Sequence, residues 1–228
     1  MVQLILSNSR FDLCYNLGNV FDSDKMNEKV KMILKGKAVC KMKKDILYFE
    51  EDGKSNTYLT LKTAKDRAIE LGIKQVVLAT THGYTAIEAT DVFKGTGIEL
   101  IAVGLSFCCS DEGWDMSQSE REKIENAGIK VLISLHSLSR GVSEAFEGHI
   151  STAEIIARTF YCFSQGMKVA VEISIMAAEA GLIPIDREII AVGGSGKGAD
   201  TAVVLTPSYA WKLKDLKIHE IICKPRNP

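Results

Sequence analysis

One stretch restricts the fold more than any other: Lys74-Gln75-Val76-Val77-Leu78-Ala79-Thr80-Thr81-His82-Gly83-Tyr84-Thr85-Ala86. An apolar run that does not alternate marks a strand buried on both faces, the habit of parallel sheets covered by helices. Here the run breaks into hydroxyls and a glycine, and a helical pattern begins. A strand that turns directly into a helix leaves backbone N–H groups unpaired at the positive end of the helix dipole, a seat suited to phosphate. Thr80, Thr81, His82, Gly83, Tyr84 and Thr85 are therefore candidate ligand-binding residues. Plain helix capping explains the same residues.

Similar runs recur at Glu99–Gly104, Ile129–Leu135 and Glu188–Val192, with helical patterns between them. Asp45–Phe49 reads as a strand before the first helix. Thr201–Leu205 follows the Glu188 strand too closely for a crossover, so these two should be antiparallel neighbours, and His219–Cys223 adds a short edge strand. The alternation predicts a three-layer α/β/α sandwich with a mostly parallel sheet, an antiparallel edge and right-handed crossovers. Ligands of such sheets sit beyond the carboxyl ends of the strands. That rule places the Thr80–Thr85 turn, the Ser106–Trp114 loop, the His136–Gly141 loop and the Gly193–Asp200 loop on one rim.

The first helix of this unit should start at Asn56 or Thr57 and end before Gly72, with Leu61, Ala64, Ala68, Ile69 and Leu71 as its buried stripe and Arg67 outside it. Ser117/Glu120 and Ser151/Glu154 have capping-box spacing. Met167–Ala180 is apolar nearly all round and is expected to be buried by the sheet and by a second subunit, which makes a homo-oligomer an expected partner. Glu172 lies inside that helix and needs a partner such as a backbone amide or hydroxyl. Met1 to Lys44 reads as a separate appended segment, with a short helix over 23–36; it is either poorly ordered or an artefact upstream of a true start at Met42. Residues 45–228 form the α/β domain.

Lys plus Arg total 28 against 29 Asp plus Glu, so no overall field recruits nucleic acid or an acidic membrane surface. No run reaches the roughly 18 apolar residues of a membrane span. The six cysteines lack C-x-x-C or zinc-site spacing, so no metal is predicted. Scattered unpaired cysteines suit a reducing cytoplasm. Cys108 and Cys109, read as a strand end, should point to opposite faces.

Gly193-Gly194-Ser195-Gly196-Lys197-Gly198-Ala199-Asp200-Thr201 fails as a phosphate-binding P-loop. Ala191 stands where its first glycine is needed, Gly198 replaces the hydroxyl after Lys197, and a strand follows where a helix should. It fails as a nucleophile elbow because Lys197 occupies the last glycine position. What remains is a backbone nest with one cation, Lys197, suited to phosphate or carboxylate, with Asp200 able to accept ligand hydroxyl or ring N–H groups. A flexible hairpin loop is the plain alternative. Ser106, His82 and His136 lie on the same rim, and the two histidines are the acid–base candidates. Phe107 and Trp114 are available to stack on a flat ring.

Together these motifs resemble the C-terminal domain of pyruvate kinase, and more closely a family of stand-alone bacterial and archaeal proteins built on that domain alone. The resemblance is carried by Tyr48-Phe49-Glu50-Glu51, Gly53 and Asn56-Thr57, by Ala79 to Ala86, by His136-Ser137-Leu138-Ser139 and by Val171-Glu172-Ile173. Ala180 to Pro184, Ala191 to Ala202 and Ile221 to Arg226 complete it. In allosteric pyruvate kinases the domain binds a sugar bisphosphate. The resemblance implies a phosphate at Thr80, Thr81, Gly83 and Thr85, with the Gly193–Asp200 loop lying over the ligand. It implies a location and not the sugar. The catalytic barrel has no counterpart here, so pyruvate kinase activity is not implied.

The expected function is binding of a phosphorylated, nucleotide-like small molecule, with flavin mononucleotide (FMN) as the specific candidate cofactor. The alternatives are an enzyme acting on a small phosphorylated or carbonyl substrate, with His82 or His136 as acid–base and Lys197 as clamp, and a regulatory or oligomerisation module.

Overall fold

The computed structural model describes residues 43–139, 141–145 and 150–227, and Asp45–Pro228 forms one structural unit. The appended segment and its helix over 23–36 lie outside the described residues.

Seven strands form one sheet: β1 (Leu47–Phe49), β2 (Gln75–Ala79), β3 (Glu99–Gly104), β4 (Lys130–Ile133), β5 (Ile189–Gly193), β6 (Thr201–Thr206) and β7 (Lys217–Pro225). Among the described residues five α-helices join them: α1 (Thr57–Leu71), α2 (Tyr84–Val92), α3 (Gln118–Asn126), α4 (Thr152–Tyr161) and α5 (Gln165–Glu179). The strand order is β1-β7-β6-β5-β2-β3-β4. Neighbours are parallel except where β6 meets β5 and β7. The α/β sandwich with a mostly parallel sheet is thus present, including the expected antiparallel β5–β6 pair, in register from Ile189↔Leu205 to Gly193↔Thr201.

Successive strand residues point to opposite faces. Val76, Leu78, Leu100, Ala102, Ile190 and Val192 pack with α1, α2 and α3 around Leu61, Ala64, Ala89 and Ile124. Val77, Ile101, Val103, Ala191, Val203 and Leu205 pack with α4 and α5 around Met167, Val171 and Ile175. The two layers follow from handedness: connections running β1→β2→β3→β4 carry their helices on one face, and the return to β5 carries them on the other. Twelve residues of α5 are buried against this chain's own sheet and α4.

Three expectations are corrected. The stripe of α1 is Thr57, Thr60, Leu61, Ala64, Arg67 and Ala68, while Ile69 and Leu71 are exposed. Arg67 is buried because its guanidinium grips Glu220 of β7 in a two-point pair, with Nε 2.7 Å from Oε2, and reaches Glu70 at 2.6 Å. An apolar-stripe rule cannot see a charge that is buried with its partner. Second, β7 is nine residues long and not at the sheet edge, because β1 covers Cys223–Pro225. Third, residues 107–112 form a 3-10 helix, which brings the Cys108 and Cys109 sulfurs to 3.8 Å of each other.

Burial pushes the Cys223 thiol up to about 11. Cys109 is buried, whereas Cys108 and Cys162 are exposed. Maleimide at pH 8 should therefore modify Cys108 and Cys162 in native protein and spare Cys109 and Cys223, as peptide mapping would read. Labelling of Cys223 as fast as of Cys162 would contradict this packing.

Candidate functional site

Every strand except β6 ends on one rim, and β2 and β5 are the point where the chain turns from one side of the sheet to the other. Loops leaving two adjacent strands in opposite directions open a crevice there. The two loops singled out by the sequence flank it: Leu78 pairs with Val192, so the Thr80 turn and the Gly193 loop leave side by side.

On the β2 side, the Thr80 N–H still donates to Val103 O at 3.0 Å and prolongs the sheet. Gly83 then takes φ 87° and starts α2 with no side-chain cap. A side chain at Gly83 would also press on Ile124 Cδ1 at 3.0 Å, so glycine answers both demands. Among the described residues no acceptor meets the first N–H groups of α2. Thr80 and Thr85 are buried, Thr81 half-buried and Tyr84 exposed. Helix capping by a hydroxyl, the plain reading of these threonines, is not what they do.

His82 turns away from the crevice. Its Nδ1 lies 3.3 Å from Glu120 Oε1 and its Nε2 3.1 Å from Gly113 O. Ser117 caps α3 in a capping box with Glu120: the Glu120 N–H donates to Ser117 Oγ, and the Glu120 carboxylate accepts from the Ser117 hydroxyl at 2.7 Å and N–H at 2.8 Å. These bonds to Ser117, led by the hydroxyl and aided by His82, hold the Glu120 carboxyl below its ordinary value. A depressed folded value contributes stability above the ordinary carboxylate range and loses it as pH falls through the lowered value. The start of α3 should therefore fray as pH falls below the ordinary carboxylate range, and E120Q should remove that acid sensitivity in a thermal melt. Equal acid sensitivity in E120Q would contradict this.

On the β5 side the glycines mostly serve close packing. A Cβ at Gly193 would sit 2.3 Å from Gly166 O, one at Gly194 2.2 Å from Gly198 O, and one at Gly198 2.3 Å from Thr57 Oγ1. Only Gly196 among the four faces open space. Asp200 is fully buried: Oδ2 accepts from Gly53 N–H and Ser195 N–H, both at 2.9 Å, and Oδ1 accepts from Thr201 Oγ1 at 2.8 Å. Asp200 thus holds the loop and the Gly53 turn together with all its bonds inside the protein. A Cβ at Gly166, in the first turn of α5, would lie 2.8 Å from Asp200 Oδ1, so the positive end of that helix also favours the carboxylate. Ser195 is half-buried and Lys197 exposed at the tip.

Ser106 and His136 leave from β3 and β4. Ser106 Oγ lies 2.9 Å from Cys108 Sγ, inside its own loop. His136 Nδ1 lies 3.3 Å from Ser139 Oγ. The strands carrying His136 and Gly193 are three spacings apart, about 14 Å, so one phosphate cannot touch both.

Sequence reasoning passed over Lys54 and Lys168. Lys54 Nζ stands 4.1 Å from the centre of the Tyr84 ring, and its Cα would be 2.7 Å from a Cβ at Gly198, so it sits where the two loops meet. Nothing in a loop lysine preceded by Glu50, Glu51 and Asp52 announces this. Lys168 Nζ is 2.5 Å from Glu172 Oε2 and 3.1 Å from Ser139 Oγ, and Glu172 Oε1 accepts from Leu138 N–H at 2.8 Å. Its signal was the four-residue spacing of opposite charges in an apolar helix.

The alpha/beta domain of pyruvate kinase, as a family model, matches residues 59–205. The chain belongs to that family. The match spans α1 to β6 and so contains both crevice loops. Solved structures similar to the domain include a pyruvate kinase from Cryptosporidium parvum, at 16% identity over 66% of this chain and 23% of that one, with a TM-score of 0.35. Another is the Cryptosporidium parvum pyruvate kinase in complex with ADP, at 16% identity over 73% of this chain and 23% of that one, with a TM-score of 0.32. The domain therefore spans under a quarter of the length of either enzyme.

No group of described residues is arranged to hold a metal ion, and no described helix is long and apolar enough to cross a membrane. A shallow groove between α2 and α3, lined by residues such as Thr90, Asp91, Glu122 and Lys123, lies on a helical face and includes none of the rim residues.

Proposed function

We propose that this domain binds a phosphorylated, nucleotide-like small molecule at the crevice between β2 and β5, with FMN the most specific candidate. One observation carries the reading: α2 begins without a cap, beside two buried threonines, across from a glycine-rich loop tipped by Lys197. A helix start in this condition supplies backbone N–H donors and a partial positive charge, which a phosphate satisfies. The exposed Phe107 and Trp114 are rim aromatics that a flat ring would use. Residence in the cytoplasm accords with cysteines scattered along the sequence without metal-site spacing.

Equilibrium dialysis of the folded protein against FMN and against a sugar bisphosphate tests this. Submillimolar binding of either supports it, and binding of neither overturns it. Lys197→Ala should weaken the bound ligand about three- to tenfold without lowering the melting temperature, since Lys197 is exposed and the loop is held by Asp200. An unchanged affinity would remove Lys197 from the site.

A further inference from the structure

Lys54 is a cation parked on an aromatic face. Among the described residues no carboxylate pairs with it, although Glu50, Glu51 and Asp52 lie two to four residues before it. Among the described residues its ammonium meets the ring of Tyr84, the first residue of α2. Its backbone lies against Gly198, so its position is fixed by the loop that carries Lys197.

The second observation lies beneath it. Thr80 is 7% and Thr85 3% exposed, and neither hydroxyl is bonded to any described group. Among the described residues no fully enclosed side-chain oxygen lacks a partner, so these two hydroxyls keep an opening to the surface beside the uncapped helix start. Hydroxyls that open onto the crevice with no protein partner are free to bond a ligand oxygen there.

We propose that Lys54 completes the phosphate seat and makes it selective for the dianion of a terminal phosphomonoester. The inference rests on the binding reading above. Lys54, Lys197 and the α2 dipole together bring more than two positive charges to the two flanks of the crevice, enough for a dianion and more than a carboxylate or phosphodiester needs. Asp200, the nearest buried acid, has its oxygens occupied by Gly53, Ser195 and Thr201. A protonated phosphomonoester loses its second proton near pH 6. Its affinity should therefore rise as pH rises, while sulfate, a dianion throughout, serves as a control. The other charged and titratable groups around the turn are Tyr84, the acids at 50–52 and, turned away from the crevice, the His82–Glu120 pair; the sulfate control reads any effect they have on anions in general.

The experiment is calorimetric titration of the full chain with methyl phosphate and with sulfate at pH 5 and pH 7.5. Wild type should bind methyl phosphate about tenfold more tightly at pH 7.5, following the dianion fraction, and sulfate without such a gain. Lys54→Met should weaken methyl phosphate about tenfold at pH 7.5 and cut the pH gain to threefold or less. Because Lys54 is exposed, the variant should fold normally, and its melting temperature checks this. If wild type binds methyl phosphate and K54M binds it with the same affinity and pH gain, Lys54 has no such role and the inference falls alone. If wild type binds none of methyl phosphate, FMN and sugar bisphosphate, the binding reading falls, and the inference with it.

Discussion

Replacing Asp200 with alanine should cost the domain about 3–5 kcal/mol, one of the two largest effects expected of a single substitution. Asp200 is fully buried, and the variant would orphan the N–H groups of Gly53 and Ser195 and the hydroxyl of Thr201. A buried donor left unpaired costs about 1–3 kcal/mol, and two of the three donors are backbone N–H groups. The midpoint of urea unfolding should fall steeply, with the slope unchanged. Asp200→Asn is the control. Its amide oxygen can still accept from both N–H groups while its NH2 donates to the Thr201 hydroxyl, so it should lose about 1–2 kcal/mol. A D200A variant within 1 kcal/mol of wild type would mean that the loop is held by its glycines alone.

The second large effect is at Glu172. With Lys168 it forms a buried pair, each side chain 6% exposed. Removing one member leaves the other charged and desolvated, which costs about 3–5 kcal/mol. Glu172→Ala should destabilise by that amount. Replacing both residues with methionine should recover at least half of the loss, because the charge penalty disappears with the partner. The recovery should not be complete, since Leu138 N–H and the Ser139 hydroxyl also donate to Glu172. Hydrogen exchange at the Leu138 amide should stay fast in the double variant even as global stability returns. If the double variant is as unstable as E172A, the cost lies in the lost loop bonds and not in the stranded lysine.

These cases mark what was legible in the sequence. The strands were, because a buried parallel strand must be apolar on both faces, and Val76–Leu78 and Ile189–Val192 are. The rim loops followed from strand order. The packing of α1 was not, because Arg67 enters the core only by virtue of Glu220, a partner 153 positions away. Adjacent cysteines were misread because a short 3-10 helix carries no periodic signal of its own. At the crevice, Asp200 was visible as a residue but its role was not. Sequence suggests that an acid in a glycine loop meets the ligand, whereas its oxygens are taken by Gly53, Ser195 and Thr201. Lys54 was invisible for the opposite reason: only the folded chain brings it over Tyr84.

The pairing of β1 with β7 has a consequence for how the chain folds. Leu47 lies beside Cys223, and Arg226 N–H donates to Phe49 O at 2.8 Å, so the earliest strand of this unit rests on the last one made. On a ribosome β1 has no docking surface until β7 has emerged. The Gly53 turn, which Asp200 anchors, waits for the loop after β5. The β2–β3–β4 half, built from contacts between near neighbours in sequence, can assemble first. Lys54 reaches its place over Tyr84 only once the loop carrying Gly198 has formed, so the proposed phosphate affinity should appear in refolding after the β2–β3–β4 half.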